Sequence, residues 1–369
     1  MTLPEITALR IQNQQIEGSA CTTPKELVSW MGAMQAQDFA MAKWAVGQRV
    51  PGSTLETIDE AYQAGDILRT HLMRPTWHLV SPDDIYWMLE LTAPQIRKIS
   101  KTNDKRYELT DQSYTLTNAI IEKVLSNENC MTRDELVQVF LKEHIRTDEN
   151  RMSHILMRAE LDGVVCSGPI KNNKLTYSLL TDRVPFKNTI TREEALRTLA
   201  NRYFKSHGPA TLRDFVWWSG LSVTDARKAL ETIKSDFLSE TIGTETFWFL
   251  NSLKIVKSVT PSVHLLPAYD EYLISYANRS ASLATVHNKK TISNNGIFHP
   301  VIVVDGQVEG LWKRNTVKDL VKIETSHFQL HDPEVIRGIE NEASRFGRFL
   351  GKAIKLTLLQ LPETNQSIL

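Results

Sequence analysis

The sequence is poor in cysteine and has no long apolar run, and each shortage excludes a class of protein. Its 369 residues include three cysteines, Cys21, Cys130 and Cys166, which lie far apart and outside any CxxC spacing. Because their number is odd and no histidine cluster lies beside them, they predict neither a disulfide framework nor a zinc site. No run approaches the ~20 apolar residues of a membrane helix, and the start lacks the order of a signal peptide. We therefore expect a cytoplasmic protein with no metal, no cofactor and no membrane partner.

The chain also lacks a charge of one dominant sign. Its 43 lysines and arginines equal its 43 aspartates and glutamates in number, so the formal net charge is zero. This balance argues against a protein that coats nucleic acid by bulk attraction. A local basic face remains compatible with it, because only the groups near phosphates release counterions. The length predicts roughly two to three domains.

The common catalytic motifs are absent as well. The sequence has no G-x-S-x-G elbow, no glycine-rich phosphate loop, no H-E-x-x-H pair and no zinc-deaminase signature. A candidate active site must therefore be sought among polar residues in unusual places.

Three repeated segments are present instead. Each begins with threonine and carries an acidic residue three positions later, before an apolar run, which is the capping-box pattern of a helix start. Each also precedes an alternating stretch with the pattern of a β-hairpin. The capping segments are residues 23–27, 132–136 and 211–215, and the hairpin segments are residues 68–80, 164–179 and 238–250. Helices followed by a hairpin are typical of a winged helix.

These patterns predict an α+β fold with three tandem winged-helix units and a small β-rich, barrel-like C-terminal domain. Within the third unit, residues 223–234 lie where a recognition helix would lie. After about residue 256 the pattern changes to β-branched runs interrupted by one helix, residues 333–350. The predicted domains are residues 1–91, 92–188 and 189–255 for the three units and 256–369 for the C-terminal domain.

The most unusual polar residues are Gln35, Gln37 and Asp38, between two apolar helical segments. Two amides at positions i and i+2 cannot share a helical face, but they can converge from an extended link. In a second interpretation, the amides satisfy backbone groups at a helix junction and Asp38 caps the next helix. Both interpretations are open from the residues alone.

Cationic residues are concentrated in the first hairpin and in the helix that follows the glutamine motif. Arg69, His71, Arg74 and His78 lie in the hairpin, from which a wing could contact phosphates or the minor groove. They could equally form an exposed polar strand face with His78 packed under it. Lys43 could contact a phosphate, remain a solvated charge or, less simply, act as a Schiff-base nucleophile.

Several segments, in order along nearly the whole chain, resemble the bacterial winged-helix DNA glycosylases of the AlkZ-like group. The first reads WMGAMQAQD and the second begins LRTH and continues with RPTWHLV. The later ones include GPAT with DFVWWSG, LLPAYDEYL and VDG with GLW. The segments are residues 30–38, 68–80, 208–220, 265–273 and 304–312.

This resemblance implies three winged helices curved around a duplex and a monofunctional, monomeric enzyme that removes alkylated purines from double-stranded DNA. It also implies a Gln-x-Gln catalytic signature, which Gln35 and Gln37 match, with Asp38 as a weaker candidate for a base. A purine alkylated at N7 or N3 is cationic and leaves readily, so neutral amides suffice to place water and stabilise the sugar cation. Interstrand crosslinks are a further expected substrate.

A DNA-binding regulator without catalysis is the alternative function. Such a protein would be expected to dimerise and to read base edges with a symmetric pair of helices. The chain has three non-identical units and no heptad segment for dimerisation. These features favour the wrapping of one duplex by one chain.

Overall fold

The computed structural model describes residues 1–127, 129–148, 150–250 and 260–359. It is a mixed α+β structure with 47% helix and 21% strand, so the predicted α+β class is confirmed. No helix in these ranges is long and apolar enough to cross a membrane.

The chain forms three successive groups of helices, each followed by a hairpin. The elements of the first group are α1 (Leu3–Asn13), α2 (Pro24–Met31), β1 (Met34–Gln35), α3 (Phe39–Gly47), α4 (Leu55–Ala64), β2 (Leu68–Leu72), β3 (Arg74–Val80) and α5 (Ile85–Arg106). The second has α6 (Asp111–Leu125), β4 (Met131–Thr132), α7 (Arg133–Lys142), α8 (Arg151–Leu161), β5 (Val165–Lys171), β6 (Lys174–Leu179) and α9 (Leu180–Arg183). The third has α10 (Arg192–His207), β7 (Ala210–Thr211), α11 (Leu212–Ser219), α12 (Val223–Glu231), a 3-10 turn (Lys234–Asp236), β8 (Leu238–Ile242) and β9 (Glu245–Phe249).

The three sheets of these groups share one topology. Their strand orders are β1-β3-β2, β4-β6-β5 and β7-β9-β8, so a two-residue strand pairs each time with the second strand of the hairpin. All these pairings are antiparallel. The three predicted hairpins are therefore present. The order fits the predicted winged-helix units, whose assignment to that type stays a prediction.

The three predicted capping boxes form as the sequence indicates. At α2, the Thr23 hydroxyl accepts the Glu26 backbone N–H at 3.1 Å, and the Glu26 carboxylate accepts the Thr23 N–H at 3.2 Å. The boxes at the starts of α7 and α11 are reciprocal in the same way. Each satisfies two backbone donors that a helix start leaves without partners. The predicted helix over residues 223–234 is shorter, since α12 ends at Glu231.

Two helices do not respect the predicted boundary of the first unit. Helix α5 runs across the boundary at residues 91 and 92, although Pro94 lies inside it. Its residues Ala93 and Ile96 pack on Met157 and Leu161 of the second group, and this burial offsets the hydrogen bond that proline removes.

Helix α1 belongs to the predicted first unit in sequence but makes side-chain hydrogen bonds to the third group. The Arg10 Nε donates to the Pro209 carbonyl at 3.0 Å, and the Asn13 amide donates to the Gly208 carbonyl at 2.7 Å. The division of the chain into four domains therefore stays a prediction, and its boundary at residues 255 and 256 lies outside the described residues.

The C-terminal part contains a five-stranded sheet covered by one long helix. Its elements are β10 (Val263–Leu266), α13 (Glu271–Ile274), a 3-10 turn (Thr285–His287), α14 (Asn288–Thr291), β11 (Val301–Val304), β12 (Gln307–Val317), β13 (Leu320–His327), α15 (Pro333–Leu350) and β14 (Ala353–Leu359). The strand order is β10-β11-β12-β13-β14, with only β13 and β14 parallel. The described strands thus form an open sheet, and the predicted barrel is not confirmed. The helix predicted over residues 333–350 is α15, whereas the strand β13 was not predicted from the sequence.

The first group is joined to this sheet by a common apolar core. The Trp44 ring of α3 lies 5.0 Å from the ring of Phe346 and 5.1 Å from that of Phe349, both on α15. Its indole N–H donates to the Leu265 carbonyl of β10 at 2.9 Å. Because aromatic burial dominates core energetics, the C-terminal sheet holds the link between β1 and α3 in place.

Candidate active site

The Gln35 side chain is buried and held by the first hairpin. It is 6% exposed, and β1 pairs with β3 so that Gln35 lies opposite His78. Its Oε1 accepts hydrogen bonds from the Arg74 guanidinium and the Thr76 hydroxyl, both at 3.3 Å. Its backbone N–H donates to a carboxylate oxygen of Glu271 at 2.5 Å. The amide is therefore fixed in one orientation before any substrate is present.

Gln37 differs from Gln35 because its side chain is exposed. It lines a cleft of about 600 Å³ together with Asp38 and Arg69. Leu175 of β6 and the segment around Tyr269 complete the walls with residues 297–300. The cleft is thus built by the first group, the second hairpin and the C-terminal part. An amide at this position can meet a molecule that enters the cleft.

Asp38 serves as the N-cap of α3, as one interpretation of the sequence predicted. Its carboxylate accepts the Met41 backbone N–H at 3.1 Å. It also lines the cleft, where burial and the Asp38 charge raise the pKa of Tyr269. The capping role is confirmed. A catalytic role for Asp38 stays a prediction.

Arg69 lies between the glutamine link and the hairpin. Its Nε donates to the Ala36 carbonyl at 3.0 Å, and its guanidinium lies 4.3 Å from the centre of the Trp77 ring. Burial lowers the pKa of Arg69 and likewise that of Arg74. Both side chains are half-buried. Arg69 can present positive charge to the cleft, whereas Arg74 lies behind it against Gln35. The contact of either arginine with DNA stays a prediction.

His71 and His78 occupy interior positions, so their predicted contact with DNA would require the hairpin to move and stays a prediction. His71 is 6% exposed, and its Nδ1 is hydrogen-bonded to the Glu160 carboxylate of α8. His78 is fully buried, and its Nδ1 donates to the Thr76 carbonyl at 2.9 Å. Burial and the nearby charge of Arg74 lower the pKa of His78 to about 3, so the ring is neutral. The hairpin packs both histidines inward, and His78 lies under the strand as the alternative interpretation expected.

Lys43 has a carboxylate partner. Its Nζ lies 2.7 Å from the Asp59 carboxylate, and the lysine side chain is 13% exposed. The ammonium group also lies 5.2 Å from the centre of the Phe39 ring. A phosphate contact or a Schiff base at Lys43 stays a prediction, and either would require this pair to break.

The sequence analysis missed Glu271, which is the closest charged partner of the glutamine link. This carboxylate is 2% exposed and accepts hydrogen bonds from the Gln35 backbone, the Trp218 indole at 3.2 Å and the Ser275 hydroxyl. The His207 Nε2 lies 3.6 Å from a Glu271 carboxylate oxygen, and burial lowers the pKa of this imidazole. Burial alone would raise the pKa of Glu271, but hydrogen bonding to His207 and the charge of that ring, with further hydrogen bonds from Ser275 and the Gln35 backbone, lower it to about 2. Glu271 is therefore an ionised carboxylate behind the candidate site.

A buried ion pair fixes the backbone that carries Glu271. The Arg49 guanidinium binds both carboxylate oxygens of Asp270, at 2.7 Å and 2.9 Å, and both side chains are almost fully buried. Asp270 also caps α13, in which Glu271 is the first residue. The preceding residue, Tyr269, has a positive φ of 57° and lines the cleft. The only sequence signal for this arrangement was the resemblance of residues 265–273.

The tryptophan pair Trp217 and Trp218 divides between surface and core. Trp218 is fully buried, whereas Trp217 is 43% exposed. In the described part of the chain, no group of three or more His, Cys, Asp or Glu side chains is placed to hold a metal ion.

Comparison with known proteins identifies the class to which this fold and site belong. The sequence model of the family described as DNA glycosylase AlkZ-like matches residues 28–349. The chain therefore belongs to the AlkZ-like DNA glycosylase family, and the prediction of a glycosylase enzyme that acts on DNA is confirmed. The alternative of a regulator without catalysis is set aside.

One curated protein sequence and one solved structure match nearly the full chain. The interstrand DNA cross-link repair glycosylase of Streptomyces sahachiroi is 24% identical over 371 residues, covering 94% of this chain and 96% of the relative. The structure of the Streptomyces sahachiroi DNA glycosylase AlkZ matches with a TM-score of 0.81 and 22% identity. That match covers 97% of this chain and 100% of the relative, so the two proteins share a fold.

Proposed function

We propose that this enzyme hydrolyses the N-glycosidic bond of cationic N7- and N3-alkylpurines in duplex DNA, with Gln35 and Gln37 as its catalytic amides. One observation carries the proposal: Gln37 is exposed in a cleft between three parts of the chain, while the neighbouring Gln35 is held rigidly behind it. The walls come from a single chain, so we propose that the protein acts as a monomer.

The proposed reaction needs little acid catalysis. When the bond between the base and C1′ breaks, its electron pair moves to the base and neutralises the charge introduced by alkylation. The sugar becomes an oxocarbenium-like cation, which water attacks at C1′. The Gln37 amide would orient this water and the fixed Gln35 dipole would stabilise the sugar cation, because preoriented dipoles act at no reorganisation cost. The proton of the water would pass to solvent or to Asp38.

The relative's name suggests a second substrate class. That protein is called an interstrand DNA cross-link repair glycosylase, and a crosslink between two alkylated purines carries the same leaving-group activation. We include such crosslinks in the proposal. The open cleft, with walls from both the first and the second hairpin groups, supports the entry of a bulky adduct.

A single-turnover assay on duplex with one N7-alkylguanine tests the proposal by counting abasic sites. Gln37→Ala or Gln35→Ala should lower excision at least about tenfold, or ~1.4 kcal/mol in the barrier, with little change in DNA affinity. Gln112→Ala on the exposed face of α6 is the matched control and should leave excision unchanged. Equal loss of binding and excision would contradict the catalytic assignment of Gln35 and Gln37. A covalent protein–DNA adduct that borohydride traps would instead indicate Lys43 as the nucleophile.

A further inference from the structure

The exposed ring of Trp217 lies beside the candidate active site in a fixed orientation. It is 43% exposed, yet its indole N–H donates to the Ile274 carbonyl at 2.8 Å. An indole that is both exposed and oriented leaves water next to an apolar face, and such faces stack on nucleic-acid bases. The neighbouring Trp218 is the tryptophan of α11 that packs in the core, so core packing does not explain the presence of the exposed Trp217 ring.

Two guanidinium groups accompany this ring. Arg74 lies 5.8 Å and Arg279 5.3 Å from the centre of the Trp217 ring. Arg74 also donates to the Gln35 amide oxygen, and Arg279 lies 5.0 Å from the ring of Phe298, which lines the Gln37 cleft. Trp217 and its two cations are therefore connected to both glutamines through direct neighbours.

In the described chain no carboxylate lies within ion-pair distance of either cation, although the charge of Glu271 acts on Arg74 and that of Asp214 acts on Arg279. Neither Arg74 nor Arg279 forms an ion pair there, and Arg74 Nε and Arg279 Nη2 are buried donors without a hydrogen-bond partner in that part. The Arg279 guanidinium is held by backbone carbonyls, that of Leu273 at 2.8 Å and that of Ala277 at 3.4 Å. Burial lowers the pKa of Arg279 to about 10, so it is still charged at neutral pH. A buried guanidinium donor without an acceptor is costly, which points to an anion as the missing acceptor.

We propose that Trp217, Arg74 and Arg279 form a binding site for one nucleotide that is displaced from the duplex stack. Its base stacks on the Trp217 indole, and its phosphate lies against the two guanidiniums. This inference rests on the proposed function, because it takes duplex DNA as the ligand. It assigns a binding step that precedes the chemistry of Gln35 and Gln37.

The test measures binding to DNA that contains no alkylated base. Fluorescence anisotropy would compare a fully paired labelled duplex with the same duplex carrying one unpaired, bulged nucleotide. The native protein should prefer the bulged duplex, and Trp217→Ala should reduce this preference about tenfold, the order of one base-stacking contact. Trp217→Phe keeps an aromatic face and should retain most of the preference. Phe186→Ala, which removes a ring that is 88% exposed, should change nothing.

The phosphate contact has its own readout. Arg279→Gln should weaken binding to both duplexes and flatten the logarithmic salt dependence by about one, because one fewer phosphate is neutralised. Arg279→Lys keeps the charge and should keep the slope, and Arg337→Gln on the exposed face of α15 is the matched control. Thermal unfolding identifies variants that fail to fold.

The outcomes separate this site from the proposed chemistry. An unchanged bulge preference in Trp217→Ala, or an unchanged salt slope in Arg279→Gln, would overturn the nucleotide site. A protein that shows both effects but releases no alkylated base would retain the site and contradict the proposed function.

Discussion

Replacing Glu271 with glutamine tests whether this buried carboxylate positions the catalytic link. One carboxylate oxygen accepts the Gln35 backbone N–H, and the other accepts the Trp218 indole N–H and the Ser275 hydroxyl. A glutamine side chain offers one oxygen and one NH2 group. Whichever way the amide turns, either the Gln35 N–H or the Trp218 N–H faces another donor, and neither of these groups can accept. A buried donor left without an acceptor costs about 1–3 kcal/mol.

The pH dependence of stability gives this prediction a second, independent magnitude. The pKa of Glu271 is lowered from 4.5 to about 2 in the folded protein. A carboxyl group whose pKa is lower in the folded protein than in the unfolded chain stabilises the fold at pH values above the unfolded-state pKa. This contribution is lost as the pH falls from about 4.5 toward 2. The difference corresponds to about 3 kcal/mol of unfolding free energy. Glu271→Gln lacks this contribution at every pH.

Urea unfolding followed from pH 7 to pH 3 measures both effects. We expect Glu271→Gln to be less stable than the native protein at pH 7. The difference in unfolding free energy between the two proteins should become smaller below pH 4.5. Single-turnover excision at a temperature where both are folded should also fall about tenfold, because Gln35 loses its backbone acceptor. A variant as stable as the native protein at pH 7, or a gap that does not change with pH, would refute the reasoning.

Three further predictions concern charge and selectivity. Arg69→Gln should reduce the slope of log duplex affinity against log salt concentration by about one. Lys43→Gln should change this slope less, because Lys43 is paired with Asp59. Titrations of duplex affinity against salt concentration compare the two variants. Arg49→Ala should lower the unfolding free energy by about 3–5 kcal/mol, because Asp270 is left buried without its partner, and Asp270→Asn in the same background should restore part of the loss in urea unfolding. The enzyme should excise N7-alkylguanine about 10² to 10⁴-fold faster than uracil or hypoxanthine in matched duplexes, since no positioned acid activates a neutral base, and comparable single-turnover rates would contradict the amide mechanism.

The features that the sequence predicted correctly are those governed by neighbours along the chain. The capping boxes of Thr23, Thr132 and Thr211 join residues three positions apart, so the residues themselves contain both partners. The hairpins follow from alternation and from turn residues in the same way. The glutamine link between two helices was also visible, because its irregular polar run interrupts two apolar segments.

The surroundings of that link were decided by residues far away in the sequence. Gln35 meets Glu271 across 236 positions, and His71 meets Glu160 across 89. The burial of His71 and His78 could not be read from the sequence, because the two faces of a hairpin are equivalent until another element packs on one of them. The open form of the C-terminal sheet likewise depends on a tertiary contact. Helix α15 covers the sheet and packs its Phe346 ring on the Trp44 ring of α3.

The sequence by itself thus determined where helices and hairpins begin, and that two amides stand in an irregular link. Only the tertiary structure decided that Gln35 is held inward while Gln37 lies in the cleft, and that Glu271 is an ionised group behind them. The physical reason is that burial sets both the orientation of an amide and the pKa of a carboxyl, and burial is produced by contacts between distant segments.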